Sequence, residues 1–180
     1  IKYSISNWNP SHDMIKKSVF FTGPRPSKYN YESIDYKRIK HFAFRTIQNT
    51  MEKGYKFYLY GGCSDFDLLT ANYCMRLREQ FGYDIKIICV LPYEDFYLSN
   101  HFDDFWRLHY INIVNKSDYV VNPSNTKNYT GGSQYMNRNK FLCDNSSLLI
   151  AFKPLKSGGS NNTVKYAQEK NLEIIDTSRK

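Results

Sequence analysis

Short runs dense in β-branched and aromatic residues recur along the chain, at Ser18–Thr22, Lys56–Tyr60, Ile85–Leu91, Asp118–Asn122, Ser147–Phe152 and Leu172–Asp176. Each is strand-like, and the stretches between them space their apolar residues as helices do. Ile85-Lys86-Ile87-Ile88-Cys89-Val90-Leu91 is nearly continuous in apolar residues, the pattern of a parallel strand covered on both faces. Strands alternating with helices predict an α/β sandwich with right-handed crossovers. A chain of 180 residues is long enough to bury one such core, so residues 18–180 are read as a single domain preceded by an N-terminal arm, residues 1–17.

The helices are placed by their stripes. One runs from about Glu32 to Glu52 on Ile34, Ile39, Phe42, Ile47 and Met51; a second starts at a cap on Ser64 or Asp65, buries Leu68, Leu69, Tyr73 and Leu77, and ends near Gly82. A third, from about residue 100 to Asn115, carries Phe105, Leu108, Ile111 and Ile113. A short one covers Ser133 to Cys143, and the last covers Val164 to Lys170.

In a parallel α/β sheet, ligands sit beyond the carboxyl ends of the strands. The loops Thr22–Pro26, Gly61–Asp67, Pro92–Phe96 and Ser157–Thr163 all fall on that edge and converge on one cleft, which Gly23, Gly62 and Pro92 help to shape. Ser157, Gly158, Gly159, Ser160 and Thr163 have the composition of an anion cradle: glycines permit close backbone approach, and helix-start N–H groups face a phosphate. The competing reading is a plain turn between strand and helix. Arg25, held between Pro24 and Pro26, either forks onto a phosphate or is solvated in a rigid turn. Asp65 and Asp67 either cap a helix or accept ribose hydroxyls. Arg138 and Asn139 either reach the ligand or tie a loop to the sheet, and Trp106, Tyr110, Tyr129 and Tyr135 offer rings on which a base could stack or that pack the core.

Charge narrows the partner. Twenty-five Lys and Arg against seventeen Asp and Glu give +8, which favours anions. The basic residues are scattered, the longest cluster being Lys37-Arg38-Ile39-Lys40, with no nucleic-acid-binding signature, so a small anionic ligand fits better than nucleic acid. Cys63, Cys74, Cys89 and Cys143 have no Cys-x-x-Cys spacing and read as reduced thiols of a cytoplasmic protein, with Cys63 a small filler beside a tight turn. His12, His41, His101 and His109 lack metal spacing, so no metal is expected, and no apolar run is long enough to span a membrane. The chain starts at Ile1 rather than Met, and a native N-terminus extending before it is left open.

Four motifs, in order, carry a resemblance: Thr22-Gly23-Pro24-Arg25-Pro26, Gly61-Gly62-Cys63-Ser64-Asp65-Phe66-Asp67, Arg138-Asn139, and Gly158-Gly159-Ser160 leading to Thr163-Val164-Lys165-Tyr166-Ala167. From about Val19 to Asp176 the chain resembles the SLOG superfamily, and within it the YpsA-like branch. The resemblance implies a Rossmann-like three-layer sandwich with a mostly parallel sheet of about six strands, binding nucleotides or their derivatives and often assembling as dimers or higher forms. Some relatives cleave the N-glycosidic bond of nucleoside monophosphates; others sense NAD-derived signals or handle DNA. The hydrolases carry Pro-Gly-Gly-x-Gly-Thr-x-x-Glu. Here Gly158-Gly159 match, but Asn161-Asn162 replace Gly-Thr and Lys165 stands where the Glu should be. The branch usually has Gly at Asp65, and a carboxylate there would repel phosphate, turning that loop toward sugar or base.

The expectation is therefore a non-catalytic binder of a nucleotide-derived ligand, of ADP-ribose, NAD-like or signalling type, used for sensing or sequestration, for instance in bacterial or phage conflict. An N-glycosidase or phosphoribohydrolase, with Asp65, Asp67 or Glu94 supplying the carboxylate, is the second reading. A single-stranded nucleic-acid-binding protein is the third.

Overall fold

Every expected strand forms: β1 (Ser18–Thr22), β2 (Phe57–Tyr60), β3 (Lys86–Val90), β4 (Tyr119–Val121), β5 (Leu148–Ala151) and β6 (Glu173–Asp176). They were identified in a computed structural model that describes residues 3–156 and 158–178. The strands make one sheet in the order β4-β3-β2-β1-β5-β6, and all pairings are parallel. The first four strands step outward in one direction from β1; β5 and β6 then add on its other side. That reversal makes the junction of β1 and β5 the topological switch point of an α/β, Rossmann-like fold.

The helices are α1 (His12–Lys16), α2 (Ile34–Glu52), α3 (Asp65–Phe81), α4 (Asp104–Asn115), α5 (Ser133–Asp144) and α6 (Gly159–Glu169). Strand side chains alternate between two cores, as the pleat requires. Val19, Phe21, Tyr58, Tyr60, Ile87 and Cys89 meet α2, α3 and α4 on one face; Phe20, Leu59, Ile88, Val90 and Leu149 meet α5 and α6 on the other. Local chemistry starts and stops these helices. Ser33, Ser64 and Asp103 cap α2, α3 and α4 by accepting the N–H of Tyr36, Asp67 and Trp106, and Gly82 ends α3 in the left-handed region at φ 70°.

The stripes shift where tyrosine and threonine take core positions. On α2 the buried row is Tyr36, Ile39, Ala43, Ile47 and Met51 with Thr46 and Thr50, which leaves Ile34 and Phe42 exposed. On α4 the buried residues are Tyr110, Ile113 and Val114, so Phe105 and Leu108 face out at 84% and 69% exposure. Leu69 of α3 is half-buried, its expected place taken by Phe66, Thr70, Ala71 and Cys74. The largest displacement is in α6. It begins at Gly159 rather than Val164, because its first turn buries polar residues, Ser160, Asn161 and Thr163, which give no apolar signal. Among residues 1–17, α1 forms behind a Ser11 cap, Ser6 N–H donates to the Val120 carbonyl, and Trp8 packs against Phe57 and Tyr119 at the second core. Among the described residues no helix is long and apolar enough to cross a membrane.

Candidate functional site: a cleft at the switch point

The end of β1 is tied to the end of β5 by the Phe152 N–H, which donates to the Thr22 carbonyl at 2.9 Å. Beyond that bond the two chains part, and the gap is a cleft of about 440 Å³. Thr22, Gly23 and Arg25 line it from the loop after β1; Gly61, Cys63 and Asp67 line it from the segment after β2; Tyr135, Arg138 and Asn139 come from α5, and Gly158, Gly159, Ser160 and Thr163 from the start of α6.

The α6 wall is built for close approach. Gly158 sits at φ 115°, where a side chain is strained, and a Cβ on either Gly158 or Gly159 would meet nothing within 4 Å. Packing therefore does not demand the pair, and the space beside it is free. Among the described residues no side chain caps α6, and its first-turn dipole ends beside the cleft. Asn161 Nδ2 donates to the Leu155 carbonyl at 3.0 Å and Thr163 Oγ1 to the Gly159 carbonyl at 3.1 Å, which hold the approach loop and first turn in place.

Arg138 crosses beneath the cleft from α5 and is almost wholly buried. Its guanidinium donates to the Gly61 carbonyl at 2.9 Å, to Cys63 Sγ at 3.0 Å and to Asn139 Oδ1 at 2.9 Å. Arg138, which with Asn139 also lines the cleft, thus fastens the loop after β2. Gly61 is required for this: a Cβ there would stand 2.6 Å from Arg138 Nη1. Cys63 has a cationic neighbour in Arg138, which lies 75 residues away in the chain and leaves no local trace in sequence.

Asp67 is the buried carboxylate of the site, 5% exposed. Its Oδ2 accepts the Cys63 N–H at 3.2 Å, and its own N–H donates to Ser64 Oγ at 3.0 Å. Its Oδ1 has no hydrogen-bond partner among the described residues. Burial pushes its carboxyl up to about 7, against the opposing pull of the Arg138 charge, of the Cys63 and Gly62 amides and of the Ser64 hydroxyl. Tyr135 stands at the mouth with its ring centre 5.1 Å from the Arg25 guanidinium and 5.8 Å from that of Arg138. Among the described residues Arg25 forms no ion pair.

Other expected site residues lie elsewhere. Asp65 and Asp67 are two positions apart on α3, about 200° around a helix, so they face different spaces. Asp65 Oδ1 accepts Trp106 Nε1–H at 2.9 Å and lines a separate hollow of about 600 Å³, with Pro26, Phe102 and Phe105. Gly62, at φ 76°, turns toward Tyr110, whose ring a Cβ would meet at 2.7 Å. Pro92 is buried at the end of β3 and is absent from the cleft lining. Ser157 lies outside the described residues. Of the ring candidates, Trp106 is stacked on Phe102 and Tyr110 is fully buried; Tyr129 is exposed, and Tyr135 is the one that lines the cleft. Glu94 opens a short 3-10 turn, Glu94–Leu98, away from the cleft, and Lys165 points out from α6 into a shallow neighbouring hollow.

A family model described as the YspA SLOG family matches residues 19–177. The chain is 26% identical over 141 residues to a UPF0398 protein of Macrococcus caseolyticus (strain JCSC5402), a match covering 76% of this chain and 73% of that one. Among solved structures it resembles DNA processing protein A of Helicobacter pylori, reported for its single-stranded DNA binding mode, with a TM-score of 0.58 at 14% identity, covering 91% of this chain and 67% of that one. It also resembles the DNA processing protein A of Streptococcus pneumoniae, with a TM-score of 0.56 at 12% identity, covering 90% of this chain and half of that one. At those identities the two structures speak to the fold.

Proposed function

The chain belongs to the YspA SLOG family, and from that membership we propose that its switch-point cleft binds a nucleotide or nucleotide derivative without cleaving it. The phosphate sits at the start of α6, against Gly158, Gly159 and Ser160, with Arg25 closing over it from the β1 loop. The observation that carries this reading is the open N-terminus of α6, which no side chain among the described residues caps, facing the same cleft as an arginine that has no ion pair among them. A cleft of about 440 Å³ is in the range that takes one small ligand. Tyr135 supplies a ring at its mouth for the base.

An ADP-ribose, NAD-like or signalling nucleotide, held for sensing or sequestration, is the role this site suits. Lys165 in place of the hydrolase Glu argues against turnover, and Asp67 is the one carboxylate in the cleft lining that would have to replace it. Release of free base from AMP, NAD or ADP-ribose would overturn the non-catalytic reading. Single-stranded nucleic acid is the second reading, favoured by the reported binding mode of the Helicobacter pylori relative. Steeply salt-dependent retention of oligonucleotides without small-ligand binding would establish it instead.

Calorimetric titration of AMP and ADP-ribose into the chain tests the proposal. Saturable binding that Arg25→Ala weakens roughly 10-fold or more, as loss of a charge-assisted hydrogen bond predicts, is the expected result. Unchanged affinity in both Arg25→Ala and Ser160→Ala would overturn the placement of the phosphate. Mass spectrometry of any ligand released on denaturing the purified protein would name the compound.

A further inference from the structure

We infer that the cleft selects ribonucleotides over deoxyribonucleotides, with Asp67 accepting a sugar hydroxyl; this rests on the nucleotide reading above. Asp67 is almost wholly buried, and the Gly62 amide and the Ser64 hydroxyl lie near its carboxylate without completing a hydrogen bond to Oδ1. Oδ2 takes the Cys63 N–H, while Oδ1 is without a partner among the described residues. A buried carboxylate oxygen left without a donor is costly, and such groups are nearly always paired. Among the hollows of the structure described here, the switch-point cleft is the one that Asp67 lines. The missing donor is therefore to be supplied from the cleft.

An ionised carboxylate only accepts hydrogen bonds, so it calls for a ligand O–H or N–H. A phosphate at the α6 end of the same cleft has neither once it is fully ionised. The sugar, joined directly to that phosphate, carries hydroxyls, and acidic residues near the second strand of dinucleotide-binding folds take such hydroxyls. Asp67 is anchored for this task. Ser64 fixes its backbone, Cys63 fixes its other oxygen, and the Arg138 guanidinium, itself locked to Gly61, offsets its charge. A site built to bond a hydroxyl rejects the analogue that lacks it, because the buried acceptor is again left unpaired. DNA lacks the 2′-hydroxyl, so this feature turns the cleft away from the ligand of the Helicobacter pylori relative.

The protonation state of Asp67 gives an independent handle. The groups that act on it are Arg138 from α5, the Cys63 and Gly62 amides and the Ser64 hydroxyl, with Tyr60, Cys89, Tyr31 and Tyr36 around it; Arg138 is the cation among them. With its carboxyl pushed up to about 7, it becomes a full acceptor above that pH, and the preference for ribose grows from pH 6 to pH 8. The phosphate of the probe also titrates in this range, but equally for both sugars.

The experiment is titration of the full chain with AMP and with 2′-deoxy-AMP at pH 6 and pH 8, repeated with Asp67→Asn. AMP is expected to bind at least roughly 10-fold more tightly at pH 8, a ratio that shrinks at pH 6 and collapses toward one in the variant. Asn keeps an oxygen for the Cys63 N–H, and circular dichroism confirms that the variant is folded; should it not be, the pH dependence of the wild-type ratio decides alone. Equal binding of the two nucleotides at both pH values overturns the inference and leaves the nucleotide reading standing. It is the result expected if a base amino group were the donor. Binding of neither AMP nor 2′-deoxy-AMP overturns both.

Discussion

Arg138 Nη1 donates to the Gly61 carbonyl at 2.9 Å, and a Cβ on Gly61 would lie 2.6 Å from that nitrogen. The two residues specify each other. Gly61→Ala must push the guanidinium off the loop, separating it from Cys63 and Asp67. Arg138→Ala leaves the same groups without their cation, and removing one partner of a buried charged network costs about 3–5 kcal/mol. Thermal denaturation should show both variants strongly destabilised, with the double variant close to Arg138→Ala alone. Strict additivity of the two losses would contradict the coupling.

Two glycines with positive φ should behave differently. Gly62 at φ 76° abuts Tyr110, so Gly62→Ala combines backbone strain with a clash and should cost about 2–4 kcal/mol. Gly158 at φ 115° stands in open space, so Gly158→Ala should cost about 1–2 kcal/mol of strain while lowering nucleotide affinity. Equal stability losses, or a Gly158 variant that binds as well as wild type, would contradict this division.

Asp67 should leave a signature in the pH dependence of stability. Its carboxyl titrates near 7 when folded but near about 3.9 in an unfolded chain. The folded state therefore holds the proton more tightly, and this contribution is complete below about pH 4 and is lost as pH rises through about 7. Chemical denaturation of wild type and Asp67→Asn should show the difference between them moving against wild type by up to about 4 kcal/mol over that range. A difference flat with pH would mean that burial does not shift the group.

The hollow beside Trp106 should be independent of the cleft. Asp65 accepts the Trp106 indole N–H at 2.9 Å, and Asp65 does not line the switch-point cleft. Trp106→Phe removes that donor and should cost about 1–3 kcal/mol of stability, with nucleotide affinity unchanged within error. A large loss of affinity in a folded variant would place ligand in the wrong hollow.

How much of this was legible in sequence differs by feature. The strands were, because parallel strands buried on both faces read as continuous apolar runs, and Ile85–Leu91 is such a run. So were the residues that converge on the cleft from the loops after β1 and β2 and from the start of α6, since glycine and proline mark strand ends. Helix faces were less legible where Tyr36, Tyr110 or Thr50 carry the packing and Ile34, Phe105 and Leu108 do not. The start of α6 was hidden by its polar first turn. Direction around a helix separated Asp65 from Asp67, and no local pattern reports that. The bond between Arg138 and Cys63 joins residues 75 apart, a relation that only the folded chain makes visible.

The claim at the centre is that the start of α6 and Arg25 hold the phosphate of a nucleotide, and a crystal structure of the chain with AMP tests it most directly. The phosphate is predicted within hydrogen-bonding distance, about 3 Å, of the Gly159 and Ser160 amides, with the Arg25 guanidinium on its oxygens and Asp67 on the ribose. A nucleotide lodged instead in the hollow beside Trp106, or a phosphate far from α6, would contradict it.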